Sequence, residues 1–143
     1  MAGVFPDVGL SDNMAAWLTG LGTLTLHLAK NNVTITRASV LTDFTEANYS
    51  GYVAQTIGTW GAPVYDATNH RYTSTAPALT FINSTGSVGN SIYAVYIKDA
   101  GGTLIYAEEV TGGPATPVDM TTAGKAYIYQ PIFDDSSRAS TSP

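Results

Sequence analysis

The sequence contains no cysteine and few charged residues. With no cysteine among 143 residues, the chain cannot form disulfide bonds or a thiolate zinc site, and it has no cysteine nucleophile. Charged residues make up 12% of the chain, about half of their usual share. Thr, Ser, Asn, Gly and Tyr take their place, and Thr and Tyr favour β-strands. This composition is typical of one β-rich domain that folds on its own core.

Basic clusters and long apolar runs are also lacking. The six Lys and Arg residues are spread singly and the net charge is −5, so no basic patch exists to bind a nucleic-acid backbone. No apolar run approaches the ~20 residues that cross a bilayer. The opening residues MAGVFPDVGL lack the cationic and apolar regions of a signal peptide. We therefore expect neither nucleic acid nor membrane as a partner, and synthesis in the cytoplasm without a signal peptide.

Helical spacing is confined to the N-terminal part. Ser11 can cap a short helix, in which Met14, Trp17 and Leu18 would share one face. The residues before Ser11 are expected to form an extended arm. Residues 1–22 are thus predicted to be an N-terminal arm and a short helix.

From residue 23 onward the hydrophobic period changes to two, which indicates strands. The strongest signal is a hairpin in which Gly101 and Gly102 supply the turn. Residues 60–65 are interrupted by Pro63 and are expected to be an edge or irregular piece. The expected strands are 23–28, 52–57, 70–74, 79–83, 92–97, 103–107, 116–120 and 126–130.

About eight short strands at this spacing are typical of a sandwich or barrel. We predict an all-β fold for residues 23–133, a β-sandwich of short antiparallel strands with jelly-roll-like topology. The strand order stays open between a jelly roll and an immunoglobulin-like sandwich. Residues 134–143 are Ser-rich and are predicted to be a polar C-terminal tail.

Histidines offer no metal or nucleophile pattern. His27 and His70 lie in different predicted strands, and neither has ligand-type neighbours at metal-binding spacing. His27 is interpreted as a surface or hydrogen-bonded side chain. The sequence also lacks Gly-x-Ser-x-Gly and phosphate-loop patterns, so we expect no catalytic residue, no metal site and no cofactor.

Carboxylates are equally poor candidates for acid–base catalysis. Glu108 and Glu109 are adjacent on a predicted strand and point to opposite faces. Asp43 and Glu46 have the spacing of local backbone caps. A hydrolase that uses Asp43 or Glu108 is the least favoured alternative, because no partner base can be named.

Aromatic residues are the remaining feature, with nine Tyr, four Phe and two Trp. Tyr and Trp bury large areas at low entropic cost and are enriched at interfaces. Three interpretations stay open: core packing, a subunit interface, or a sugar-stacking platform built from Trp60, Tyr65 and Tyr72. The candidate interface residues are Phe5, Trp17, Tyr49, Tyr52, Trp60, Tyr65, Tyr72 and Phe133.

The middle of the chain has a characteristic spacing of turns and aromatic residues. It runs through NNVT at 31–34, VLTDFTEA at 40–47 and YSGY at 49–52, and then the hairpin KDAGGTLIYAE at 98–108. Over residues 21–133 this pattern resembles small structural proteins of tailed bacteriophages, several of which are head decoration (cement) proteins. The resemblance supplies no active-site residues.

The resemblance implies a non-enzymatic virion structural protein on the capsid surface. Proteins of this kind are β-sandwiches that form homotrimers and clamp subunits of the major capsid protein together. The resemblance leaves open whether the protein lies on the head or the tail. The alternative is a tail or receptor-binding accessory that acts as a carbohydrate-binding module.

Overall fold

The structure is mostly β, and every strand pairing is antiparallel. A computed structural model describes residues 7–110 and 113–134. Helix α1 spans Asp7–Gly20, and short 3-10 turns occur at Leu41–Asp43 and Gly113–Ala115. The strands are β1 Leu24–Ala29, β2 Gln55–Thr56, β3 Val64–Asp66, β4 Arg71–Thr75, β5 Leu79–Ile82, β6 Asn90–Ile92, β7 Ala94–Asp99, β8 Leu104–Glu109, β9 Val118–Met120, β10 Ala126–Tyr129 and β11 Ile132–Asp134. The prediction of an antiparallel, β-rich chain is confirmed.

The chain divides into two compact units, each built from distant segments. Unit 1 comprises the described residues of Met1–Gly22, Gly58–Ala78 and Gln130–Pro143, and unit 2 those of Thr23–Ile57 and Leu79–Tyr129. Unit 1 contains α1 and the sheet β11-β4-β3. Unit 2 contains the sheets β2-β1-β7-β8, β10-β5 and β6-β9.

The β1–β7 pair is the centre of unit 2. The two strands pair along six residues of β1, and Leu24, Leu26 and Leu28 of β1 are buried on one face. His27 and Ala29 on the opposite face are buried as well. The alternation of leucines predicts a half-buried strand, but β1 is covered on both faces, as is typical of a central strand.

Residues 31–47 cover one face of this pair without forming a strand. Phe44 and Tyr96 are buried against Ala29 and Ala94, and the rings of Phe44 and Tyr96 stack with centroids 4.9 Å apart. Val33 and other aliphatic side chains of the segment pack against this cluster. The segment 33–40, open in the sequence between loop and weak strand, is a loop.

The hairpin of β7 and β8 is confirmed, but its first arm is shorter than predicted. Gly102 has φ +86° in the turn, and the N–H of Asp99 donates to Thr103 O over 3.0 Å. The predicted arm began at Ile92, which instead ends β6 and pairs with β9. Tertiary pairing with β9 therefore divides one apolar run into two strands.

Other boundaries also differ from the prediction. Helix α1 begins at Asp7, so Ser11 lies inside it and does not cap it. Aspartate favours the first turn of a helix. The sequence predicts Asp12 in this turn, whereas in the structure Asp7 is the residue that lies there. The predicted strand 52–57 is reduced to two residues, β2. Asp134, placed in the polar tail, is the last residue of β11.

Aromatic stacking forms the core of unit 1. Phe133 of β11 is buried, and its ring lies 4.7 Å from Trp60 and 5.7 Å from Trp17 between centroids. Met14 and Leu18 of α1 are also buried, which confirms the predicted apolar face of the helix. Within residues 7–110 and 113–134, no helix is long and apolar enough to cross a membrane.

Gly89→Ala tests the close approach of the chain before β6 to the chain after β9. A Cβ at Gly89 would lie 2.5 Å from the Cα of Thr121, which is backbone and cannot move aside alone. We expect urea unfolding to show a loss of about 1–3 kcal/mol or more. Gly20→Ala is the control, because a Cβ there meets nothing within 4 Å. Equal stability of the two variants would contradict this packing.

Candidate functional site

The predicted interface aromatics that the structure describes pack against other aromatic rings of the same unit. Trp17, Trp60 and Phe133 come together in unit 1, and Tyr49 contacts Tyr52 in unit 2 with ring centroids 5.3 Å apart. Their exposure differs: Tyr49, Tyr72 and Phe133 are buried, Trp17, Tyr52 and Trp60 are half-buried, and Tyr65 is exposed. Phe5 lies outside the described residues. The interface role of this set stays a prediction.

The three rings considered for sugar stacking do not form an open platform. One face of Trp60 is stacked on Phe133, and Tyr72 is buried. Tyr65 packs on Tyr72 with centroids 5.4 Å apart, and its hydroxyl lies 3.2 Å from Nδ1 of His70. Tyr65 is therefore the one ring of the three that is exposed.

His27 lies at the centre of a hydrogen-bonded network. Its Nδ1 lies 2.6 Å from Oε1 of Glu46, and its Nε2 lies 2.9 Å from Oγ1 of Thr25. The Tyr52 hydroxyl donates to the same Glu46 oxygen over 3.0 Å and accepts from the N–H of Leu28 over 3.1 Å. From the sequence, His27 is predicted to be a surface or hydrogen-bonded side chain. In the structure it is buried and hydrogen-bonded.

The chemistry of the partners fixes the histidine tautomer. A carboxylate only accepts hydrogen bonds, so Nδ1 of His27 carries the proton, and Nε2 of a neutral ring accepts from Thr25. The order hydroxyl, imidazole, carboxylate is that of a relay that activates a nucleophile. Such a relay also needs oxyanion donors and a substrate pocket. Neither the groove at residues 31–43 nor the groove at residues 49–55 and 80–82 is lined by Thr25 or His27.

The network instead holds an irregular segment against β1. Glu46 forms an isolated bridge with Ala29, and Lys30 N–H donates to Thr45 O over 2.9 Å. The His27 ring stacks on Tyr96 with centroids 5.0 Å apart. Sequence reasoning missed the pairing of His27 with Glu46 because the two residues are 19 positions apart.

Glu108 also lies among tyrosines. Burial raises the pKa of Tyr129, and a hydrogen bond with Glu108 adds to this effect. Burial also raises the pKa of Tyr127, with a smaller effect of the Glu108 charge. Tyr129 belongs to β10 and Glu108 to β8, so this electrostatic effect acts between strands of two different sheets of unit 2.

Unit 2 exposes an aliphatic sheet face, which we name the Ile128 face (Thr80, Ile82, Ala126, Ile128). The register opposes Ala126 to Ile82 and Ile128 to Thr80, so the four side chains share one face. All four are exposed, with Ile82 at 51% and Ile128 at 65%. The opposite face holds Phe81, which is buried.

A groove adjoins the Ile128 face. It has a volume of about 320 Å³ and is lined by residues that include Thr80 and Ile82 of this face. Val53, which is 69% exposed, forms part of its wall. Tyr49 also lines the groove, although its buried hydroxyl has no hydrogen-bond partner in the described part of the chain.

Unit 1 exposes a second aliphatic face, the Ile132 face (Val64, Thr73, Thr75, Ile132). The register opposes Val64 to Thr73 and Ile132 to Thr75. Val64 is 65% exposed and Ile132 is 49% exposed. Charged side chains lie on the same side of the sheet and form its border: Asp134 opposes Thr73 and forms an ion pair of 3.0 Å with Arg71, and Asp66 opposes Arg71.

None of these aliphatic residues is among the candidate interface residues that the sequence indicates. Strands such as LTFI and AYIY are apolar on both faces, a pattern that is typical of buried strands. The exposure of Ile82 and Ile128 is set by what covers the sheet, which the local pattern does not contain.

No family model, curated protein or solved structure matches this chain. No relative therefore assigns a role to any of these residues. Among residues 7–110 and 113–134, no group of three or more His, Asp or Glu side chains is placed to hold a metal ion.

Glu46→Ala tests the His27 network. The substitution removes the acceptor of both the buried His27 Nδ1–H and the Tyr52 hydroxyl. We expect a loss of about 1–3 kcal/mol in the free energy of unfolding, measured with urea. Glu109→Ala, at an exposed position of β8, is the control and should change stability by less than about 0.5 kcal/mol. A neutral Glu46→Ala variant would show that the network contributes nothing to stability.

Alkaline titration tests the buried tyrosines. Burial raises the pKa of Tyr49 to about 12 from its ordinary value of 10.0, and it also raises the pKa of Tyr52, Tyr96 and Tyr129. Because these phenols favour the neutral form when folded, their stabilising effect is complete below pH 10 and is lost as pH rises through the folded pKa.

Absorbance at 295 nm should therefore rise in two stages, the second one together with unfolding. In urea all nine tyrosines should titrate in one stage near pH 10. A single stage near pH 10 in the folded protein would contradict the burial of these hydroxyls.

Proposed function

We propose that this chain is a non-enzymatic virion structural protein, a capsid decoration (cement) protein that binds the major capsid protein on the capsid surface as a homotrimer. The observation that supports the proposal is that each unit exposes its own aliphatic sheet face. A protein that binds copies of itself and also a capsid needs at least two contact surfaces, and Val64 and Ile132 lie in unit 1 whereas Ile82 and Ile128 lie in unit 2.

Exposed aliphatic clusters are costly for an isolated soluble chain. Each Å² of apolar surface removed from water contributes about 25 cal/mol, and clustered exposed apolar side chains mark interaction sites. Many identical copies on one shell raise the effective concentration of each contact. Modest aliphatic faces are therefore sufficient for stable attachment.

The proposal includes a β-sandwich for unit 2, with jelly-roll-like connections. Burial on both faces of β1 and β7 supports two layers, because an open single sheet leaves one face in water. The influence of Glu108 on the pKa of Tyr129 is consistent with β10 lying near β8.

The Ile132 face is the surface that we assign to the capsid. Its border carries Asp66, Arg71 and Asp134, and charged side chains at an interface select one partner over others. The alternative of a carbohydrate-binding tail module has less support, since Tyr65 is the one exposed ring of the three candidates.

Co-sedimentation with capsids that lack this protein tests the proposal. The wild-type chain should sediment with the capsids, and Ile132→Asp should bind at least about tenfold more weakly, since a buried carboxylate without a partner opposes association. Val40→Asp is the matched control, because Val40 is 52% exposed and lies on neither face.

Two results would overturn the proposal. One is a folded wild-type protein that does not sediment with the capsids. The other is binding to a glycan array that is lost in Tyr65→Ala, which would favour the carbohydrate-binding alternative.

A further inference from the structure

We infer that the Ile128 face and its adjoining groove form the contact between copies of this chain in the homotrimer. The inference rests on the proposed function for the number of copies. It assigns the two aliphatic faces different partners: a second copy for the Ile128 face and the capsid for the Ile132 face.

The surface has a projecting part and a concave part, so the projecting part of one copy can contact the concave part of the next copy. In a closed ring of three copies, each contact is heterologous, so one part of the surface meets another part on the next copy. Ile128 projects at 65% exposure, and the groove of about 320 Å³ beside Val53 is concave. Ile128 of one copy can therefore enter the groove of the next.

Charge favours a second copy as the occupant. Each copy has a net charge of −5, so electrostatic repulsion opposes self-association. The repulsion is smallest when the surfaces in contact carry no charged side chains. Residues 49–55, 80–82 and 126–128, which supply the face and the groove, contain no Asp, Glu, Lys, Arg or His. At the border, Lys125 is paired with Asp119 over 3.3 Å.

The Ile132 face differs in this respect. Its border holds Asp66 and the Arg71–Asp134 ion pair. The border carries two carboxylates and one guanidinium, so contact between two copies would bring two net negative borders to one interface, which opposes self-association. A different protein can supply complementary charges, so this face suits the capsid better than a second copy.

The position of β10 leaves the Ile128 face accessible. β10 pairs with β5 in a two-stranded sheet and lies at its edge among the described strands. Its residues Ala-Tyr-Ile-Tyr include no Lys or Pro, which commonly protect an exposed edge. A neighbouring copy can approach Ile128 from this side, and contact with the edge adds to the ~800 Å² per partner that a stable interface buries.

Light scattering coupled to size-exclusion chromatography tests the inference with the full chain over a range of concentrations. The wild type should have a mass near 45 kDa, three times the chain mass of 15.0 kDa. Ile128→Asp and Val53→Asp should raise the dissociation constant at least about 30-fold, as substitution of a central interface residue does, and give monomers. Ile132→Asp is the matched control and should stay trimeric.

Circular dichroism establishes that each variant is folded, and Ile128→Thr replaces Ile128→Asp if the latter is not. A wild-type monomer or dimer, or a trimer that persists in folded Ile128 and Val53 variants, overturns the inference. A wild-type trimer that Ile128→Asp dissociates but that binds no capsid supports the inference and contradicts only the proposed decoration function.

Discussion

The two strands β1 and β7 must be covered on both faces, and much of unit 2 is arranged around this constraint. Their six-residue register aligns the apolar side chains of the two strands. Because successive side chains of a strand point to opposite faces, both faces of the pair are apolar. Residues 31–47 cover the side of Ala29 and Ala94 by packing Phe44 onto Tyr96. An irregular segment has few backbone hydrogen bonds of its own, so it needs side-chain contacts to stay in place. The His27–Glu46 pair supplies such a contact, and the backbone bridge between Ala29 and Glu46 adds to it.

Neutral hydrogen bonds replace ion pairs in this low-charge chain. Asn83 is fully buried, and its Nδ2 donates to Val88 O over 3.1 Å and to Met120 O over 2.9 Å, while its Oδ1 accepts from the N–H of Gly86 over 2.8 Å. Each buried amide atom is thus satisfied, which avoids the cost of an unpaired polar group. Neutral bonds are insensitive to ionic screening. The loop at Asn83 is therefore held without charged side chains.

Local pattern was sufficient to predict the parts of the fold that depend on neighbouring residues. The leucines of β1 and the hairpin at Gly102 are encoded within ten residues. In contrast, β6 and β11 have three residues each and exist because distant strands pair with them. The burial of His27 depends on Glu46 and the covering loop. The exposed face at Ile128 could not be predicted, because an apolar residue in an apolar strand is usually covered, and only tertiary structure shows that this one is not.

The distribution of charge offers a physical reason for two separate aliphatic faces. An acidic chain that assembles with itself and with another protein has to keep the two contacts from competing. An uncharged face such as that of Ile128 permits contact between like-charged copies, whereas the net negative border of the Ile132 face (Asp66, Arg71, Asp134) opposes it. Assembly of three copies would then place three Ile132 faces on one particle. Linked contacts bind far more tightly than single ones, so self-association through one face strengthens attachment through the other without any change in the contact itself.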